Sequence, residues 1–139
     1  MRGMRNPVAD RRRPRDDRGM PSMRDQARSV ALGFPEVTED HPWEDDRVVK
    51  VRKKIFLFLG ADHAADEARI GVKLTDSLEQ ALGFDGVEPS RYGLGRHGWV
   101  TVAQDGSVPV ELVLDWVEES YRTVAPATLV RQLDAGVDR

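Results

Sequence analysis

Two β-rich runs sit almost back to back near the middle of the chain. They are Arg47-Val48-Val49-Lys50-Val51 and the six residues from Lys54, "KIFLFL". Branched and aromatic residues at this density suit a pleated, half-buried surface. Only Arg52-Lys53-Lys54 joins the runs, its last lysine also opening the second. A link that short cannot make the crossover a parallel pair needs, so the strands form an antiparallel hairpin. A chain built around such a hairpin grows a mostly antiparallel sheet.

Side chains alternate between the two faces of a strand, so the loop length decides which residues share a face. With a three-residue loop, Val51 lies opposite Ile55. Val49, Val51, Ile55, Leu57, Ile70, Val72, Leu74, Val100 and Val102 then share one apolar face, which helices would cover. The other face carries Lys50, Phe56, Phe58, Lys73, Trp99 and Thr101, with Lys54 at the turn. A two-residue loop would reverse this assignment.

The remaining elements follow from periodicity and punctuation. Ser22 caps a first helix with Met23, Ala27, Val30 and Ala31 on one side, and Gly33 and Pro35 end it. "EVTEDHPWEDD" is a turn-rich strand and loop, "RIGVKL" a strand, and "TDSLEQALGF" a short helix capped near Thr75 or Asp76. "VEPSRYG" is a short edge strand, because Pro89 cannot donate to a ladder. "WVTVAQ" is a strand before an Asp105-Gly106 turn. Pro109 opens the last long helix, with Val110, Val113, Leu114, Val117, Tyr121 and Val124 as its buried stripe. Pro126 stops it, and "ATLVRQLDAG" adds a weak helix. The expected class is α+β: helix, three strands, helix, two strands, helix, with the helices packed on one face. The domain spans residues 22–135, after a disordered basic tail (1–21) and before a short C-terminal tail (136–139).

The stretch "GLGRHGWV" (residues 93–100) imitates a phosphate-binding glycine loop. A dinucleotide fold places such glycines between a strand and a following helix. Here they precede the strand "WVTVAQ". No lysine follows Lys73, and no catalytic kinase loop is present. The glycines instead let the backbone bend sharply into an irregular strand, with Tyr92 and Trp99 packed around the bend. His97 in such a turn is expected to be a hydrogen-bonded structural residue rather than a catalyst.

Composition narrows the chemistry. There is no cysteine, which excludes disulfides, thiolate metal sites and a cysteine nucleophile. No apolar run reaches the ~18 residues of a membrane span. Residues 1–21 hold seven arginines against three aspartates, a net of +4; with −3 overall, the rest carries −7. "DHAADE" and "HPWEDD" offer nitrogen and oxygen donors to a metal, but acidic loops are usually just solvated. Ser90 and His97 form no recognisable nucleophile arrangement, and Glu118 and Glu119 lie on a solvated helix face.

"LGFPEVTEDHPW", "KVRKKIFLFL", "GLGRHGWV" and "VEESYRTVAP", in this order, resemble the MmcQ/YjbR family of small bacterial proteins over about Met23 to Leu133. "FPEVTED" is similar to that family's "LPGVTED"-type segment. Lys53 stands where the family usually has a hairpin glycine, and Gly98 separates His97 from Trp99, which adjoin in many members. The resemblance implies the element order given above, a DNA-binding role through a "double wing" motif, and no enzymatic activity. It implies neither a cofactor nor a small-molecule substrate. Lysine among exposed aromatics can grip a backbone and stack bases, so Lys50, Lys54, Lys73, Arg96, His97 and Trp99 are the candidate nucleic-acid contacts, with no metal site. The rival expectation is a protein partner, or a second copy of the chain, on the same sheet face. A cytoplasmic location, away from membranes, is expected in either case.

Overall fold

The structure is a computed structural model that describes residues 22–43, 46–60, 69–91 and 93–137. The basic tail, Tyr92, Glu44 and Asp45 of "HPWEDD", and all of "DHAADE" lie outside the described residues. The elements are α1 (Met23–Leu32), β1 (Val37–Trp43), β2 (Asp46–Val51), β3 (Lys54–Gly60), β4 (Arg69–Lys73), α2 (Leu78–Leu82), β5 (Val87–Pro89), β6 (Trp99–Ala103), α3 (Val110–Val124) and α4 (Ala127–Val137). A single turn of 3-10 helix, Leu94–His97, leads into β6. The strands form one antiparallel sheet in the order β1-β2-β3-β4-β6-β5.

The α+β class and the antiparallel sheet are as expected. Four strands rather than three precede α2, because the polar segment after Glu36 pairs along β2 from Val37↔Val51 onwards. The last segment is a full helix of 11 residues that runs past the expected boundary at residue 135.

The central hairpin differs in register from the expectation. Val51 pairs with Lys54, so the loop has two residues, and Arg52 takes a left-handed φ of 59°. A β-bulge follows at once. Lys50 lies opposite Ile55, yet Val49 lies opposite Leu57, leaving Phe56 as the extra residue. The short loop shifts the register by one and the bulge shifts it back. Beyond the bulge, Leu57 and Val49 share the helix-covered face as expected. Within it, Ile55 and Phe56 exchange places. Phe56 is wholly buried beneath the helices, 5.3 Å from the Tyr121 ring and 6.1 Å from that of Phe34. It is not on the outer face.

A buried bulge leaves backbone groups in need of partners. Ser120 on α3, fully buried, supplies them. Its hydroxyl donates to the Phe56 carbonyl (2.5 Å) and accepts from the Lys73 N–H (2.8 Å). One side chain thus joins β3 to β4 where their own pairing is confined to Leu57↔Val72 and Phe58↔Gly71.

α3 packs on the sheet through Val113, Trp116, Val117, Ser120 and Tyr121. The stripe therefore includes Trp116, whose ring meets Phe84 edge-on at 5.9 Å, while Val110 and Leu114 are only half-buried. Tyr121 Oη donates to the Pro35 carbonyl (2.9 Å), fixing the α1–β1 corner, and burial raises its pKa. At the start of α1, the Ser22 hydroxyl accepts from the Asp25 N–H. Arg24 is buried and its Nε donates to the Leu59 carbonyl at 2.5 Å. Glu119 replaces the expected side-chain cap of α2. It accepts from the N–H of Thr75 and Ser77 and from the Ser77 hydroxyl, at 2.7–3.0 Å.

Candidate nucleic-acid interface

The sheet order brings the cations together. The end of the sheet at the β2–β3 turn also holds the end of β4, the entry to β6 and the exit of β5, because Lys73 pairs with Trp99 and the Ser90 N–H donates to the Trp99 carbonyl. Arg52, Lys53 and Lys54 lie at the turn, Lys73 ends β4, Arg96 and His97 precede β6, and Arg91 follows β5. Lys53, Lys54, Arg91, Arg96 and His97 are exposed and Lys73 is half-buried. Among the described residues, Lys53, Lys54, Lys73, Arg91 and Arg96 form no ion pair; Arg52 pairs with Glu36 at 3.1 Å. From β3 to β5, this rim crosses three strand spacings, about 14 Å.

The six candidate residues separate on this geometry. Lys73, Arg96, His97 and Trp99 are neighbours at one corner. Lys50 is on the outer face but held by Asp40, Nζ to Oδ2 at 2.8 Å. That bond, together with the His41 N–H, lowers the Asp40 pKa. Lys54 lies at the same end of the sheet, but opposite Val51, so it roots on the helix-covered side. Trp99 is only 8% exposed, its ring against Phe58 with centroids 5.2 Å apart and planes at 69°. It is therefore no open stacking platform, because the outer face buries it against its neighbours. Phe58 is the half-buried aromatic that faces outward. Lys53 and Arg91 were not among the candidates. Arg91 and Arg96 share the short β5–β6 connection, where the Leu94 N–H donates to the Arg91 carbonyl.

Gly98 holds this corner in place. Its φ is 91°, and a Cβ there would lie 2.4 Å from the Leu74 carbonyl oxygen. The Gly98 carbonyl accepts from the Leu74 N–H at 2.8 Å, which closes the β4–β6 end. The glycine-rich stretch is thus a backbone hinge into β6, in line with its position before a strand.

A groove of about 450 Å³ runs along the outer face beside the rim. Phe58, Gly71, Thr101 and Glu88 cross its floor in one register row over β3, β4, β6 and β5. Leu94 and Arg91 stand at the rim end, and Arg69 at the other. The Ser90 and Thr101 hydroxyls are 3.0 Å apart. Among the described residues, no three His, Asp or Glu side chains are grouped to hold a metal ion. No helix among them is long and apolar enough to cross a membrane.

An open antiparallel sheet with helices on one face and a cationic end defines a small α+β domain. The YjbR family model matches residues 32–123, and the chain belongs to the YjbR family. A Deinococcus radiodurans protein with a DUF419 domain is 27% identical, with 81% of this chain and 88% of that one covered and a TM-score of 0.64. A Pseudomonas syringae protein shares the fold at 21% identity, covering 73% of this chain and 98% of that one, with a TM-score of 0.60. No curated protein matches.

Proposed function

We propose that this YjbR domain is a non-catalytic nucleic-acid-binding protein that grips the phosphate backbone with its cationic rim. The observation that carries the proposal is charge segregation. Residues 22–139 carry a net −7, yet Lys53, Lys73, Arg91 and Arg96 gather at one end of the sheet with no described carboxylate paired to them. Side chains left unpaired in an acidic protein keep their charge available for phosphate, and each phosphate neutralised releases counterions. The acidic remainder holds a backbone to that end by repelling it elsewhere.

The rival, a protein partner on the outer sheet face, has less support. With Trp99 and Val48 withdrawn from solvent and Phe56 under the helices, the described aromatics leave Phe58, half-buried, facing outward there, fewer anchors than a stable protein interface favours.

The test is anisotropy of labelled DNA with the full chain and with Lys73→Glu/Arg96→Glu. The double variant should bind at least tenfold more weakly at low salt. Unchanged binding would move the grip to the N-terminal arginines.

A further inference from the structure

We infer that the nucleic acid taken by this rim is single-stranded, and that the outer-face groove receives one unstacked base bearing an exocyclic amino group. This rests on the proposal that the rim binds a phosphate backbone. The groove's volume of about 450 Å³ falls within the ~300–1,000 Å³ typical of small-ligand sites. Its lining is laid out for a flat ring with a polar edge. The Phe58 side chain lies over β4, where Gly71 leaves room for it: a Cβ on Gly71 would come within 3.2 Å of Phe58 Cδ2. Leu94 faces the groove from the rim end. A base entering between them stacks on Phe58, a contact any base can make.

The polar edge sets the preference. Glu88, in register with Thr101, is exposed on the edge strand with no ion pair among the described residues. A carboxylate only accepts hydrogen bonds, so it favours the amino group of cytosine over the carbonyl oxygen that thymine presents there. The Ser90 and Thr101 hydroxyls can donate or accept along the rest of the edge. The groove meets the rim at Arg91, which lines both, so a backbone held by Arg91 and Arg96 can send a base inward. Stacked duplex bases cannot enter without being flipped out, which costs unstacking energy.

The experiment titrates the full chain against labelled oligodeoxycytidylate, oligothymidylate and a mixed duplex of equal length, at one low salt concentration. The cytidine strand should bind about tenfold more tightly than the thymidine strand, and both more tightly than the duplex. Glu88→Gln, a solvent-exposed change that disturbs no packing, should bring the two strands within about twofold, since an amide can also donate to thymine. Phe58→Ala should weaken both single strands and leave the duplex unchanged. Equal binding of the two strands, a duplex bound as tightly as the cytidine strand, or a preference that survives Glu88→Gln would overturn the inference while leaving the rim in place. Failure of all three nucleic acids to bind would overturn the rim proposal itself.

Discussion

Replacing Gly98 with alanine tests the geometry that holds the cationic corner. Two costs add. At φ 91° an L side chain sits in strained backbone space, worth about 1–3 kcal/mol. The new Cβ would also lie 2.4 Å from the Leu74 carbonyl oxygen, which belongs to the backbone and cannot swing aside. The β4–β6 end must part, losing the Leu74 N–H to Gly98 carbonyl bond and leaving its groups unpaired, about 1–3 kcal/mol more. The sum is about 2–6 kcal/mol, set against the ~5–15 kcal/mol that holds a typical domain together. Gly93 is the internal control. It shares the left-handed φ, at 81°, but its nearest neighbour is the flexible tip of Arg96 at 3.6 Å, so Gly93→Ala should cost only about 1–2 kcal/mol. In urea, with a slope of ~1.5 kcal/mol/M, a loss of 3 kcal/mol lowers the midpoint by about 2 M. A Gly98→Ala midpoint no lower than that of Gly93→Ala would refute the reasoning.

Three further substitutions probe the frame behind the rim. Ser120→Ala leaves the Phe56 carbonyl and the Lys73 N–H without their partner, so stability should fall by about 2–4 kcal/mol and the Lys73 amide should lose protection in hydrogen exchange. Glu119 is raised by burial, but hydrogen bonds from Ser77 and Thr75 outweigh that and hold its pKa below the ordinary glutamate value. Its contribution is therefore present above the unfolded-state pKa and lost as pH falls through the lower folded one. Glu119→Gln should cost about 1–2 kcal/mol at pH 7 and flatten the acid limb of a stability–pH curve; an unchanged acid limb would count against this assignment. Glu36 has a left-handed φ of 55° and only an exposed ion pair to lose. Glu36→Gly should therefore leave thermal stability unchanged or raise it by up to about 1 kcal/mol.

The hairpin, the α3 amphipathicity and the glycine bend were legible because each is local. Valine and leucine alternation around a short loop requires an antiparallel pair, and proline and glycine mark where α3 and α1 stop. The bulge at Phe56 was not legible, because two errors of register cancel. A two-residue loop and one extra residue restore the same faces beyond Leu57, so hydrophobic alternation reads the same either way. β1 was only partly legible, since "TEDH" has the polarity of a loop until β2 supplies its ladder. That omission also hid Asp40 as the partner of Lys50. Trp116 and Ser120 did carry a signal: they continue the three- and four-residue spacing of Val113, Val117 and Tyr121. Glu36 carried one too, as it stands where the family's "LPGVTED" pattern has glycine. The rim itself depends on β6 lying between β4 and β5, a pairing no local pattern encodes.

The most direct measurement is the salt dependence of DNA affinity for the full chain, before and after Lys73→Glu/Arg96→Glu. If four rim cations each neutralise a phosphate, log K should fall against log salt with a slope of about −2.8 on a single strand or about −3.6 on a duplex. The double variant should flatten that slope by about 1.4 or about 1.8 units respectively. A slope that the double variant leaves untouched would contradict a backbone grip by this rim.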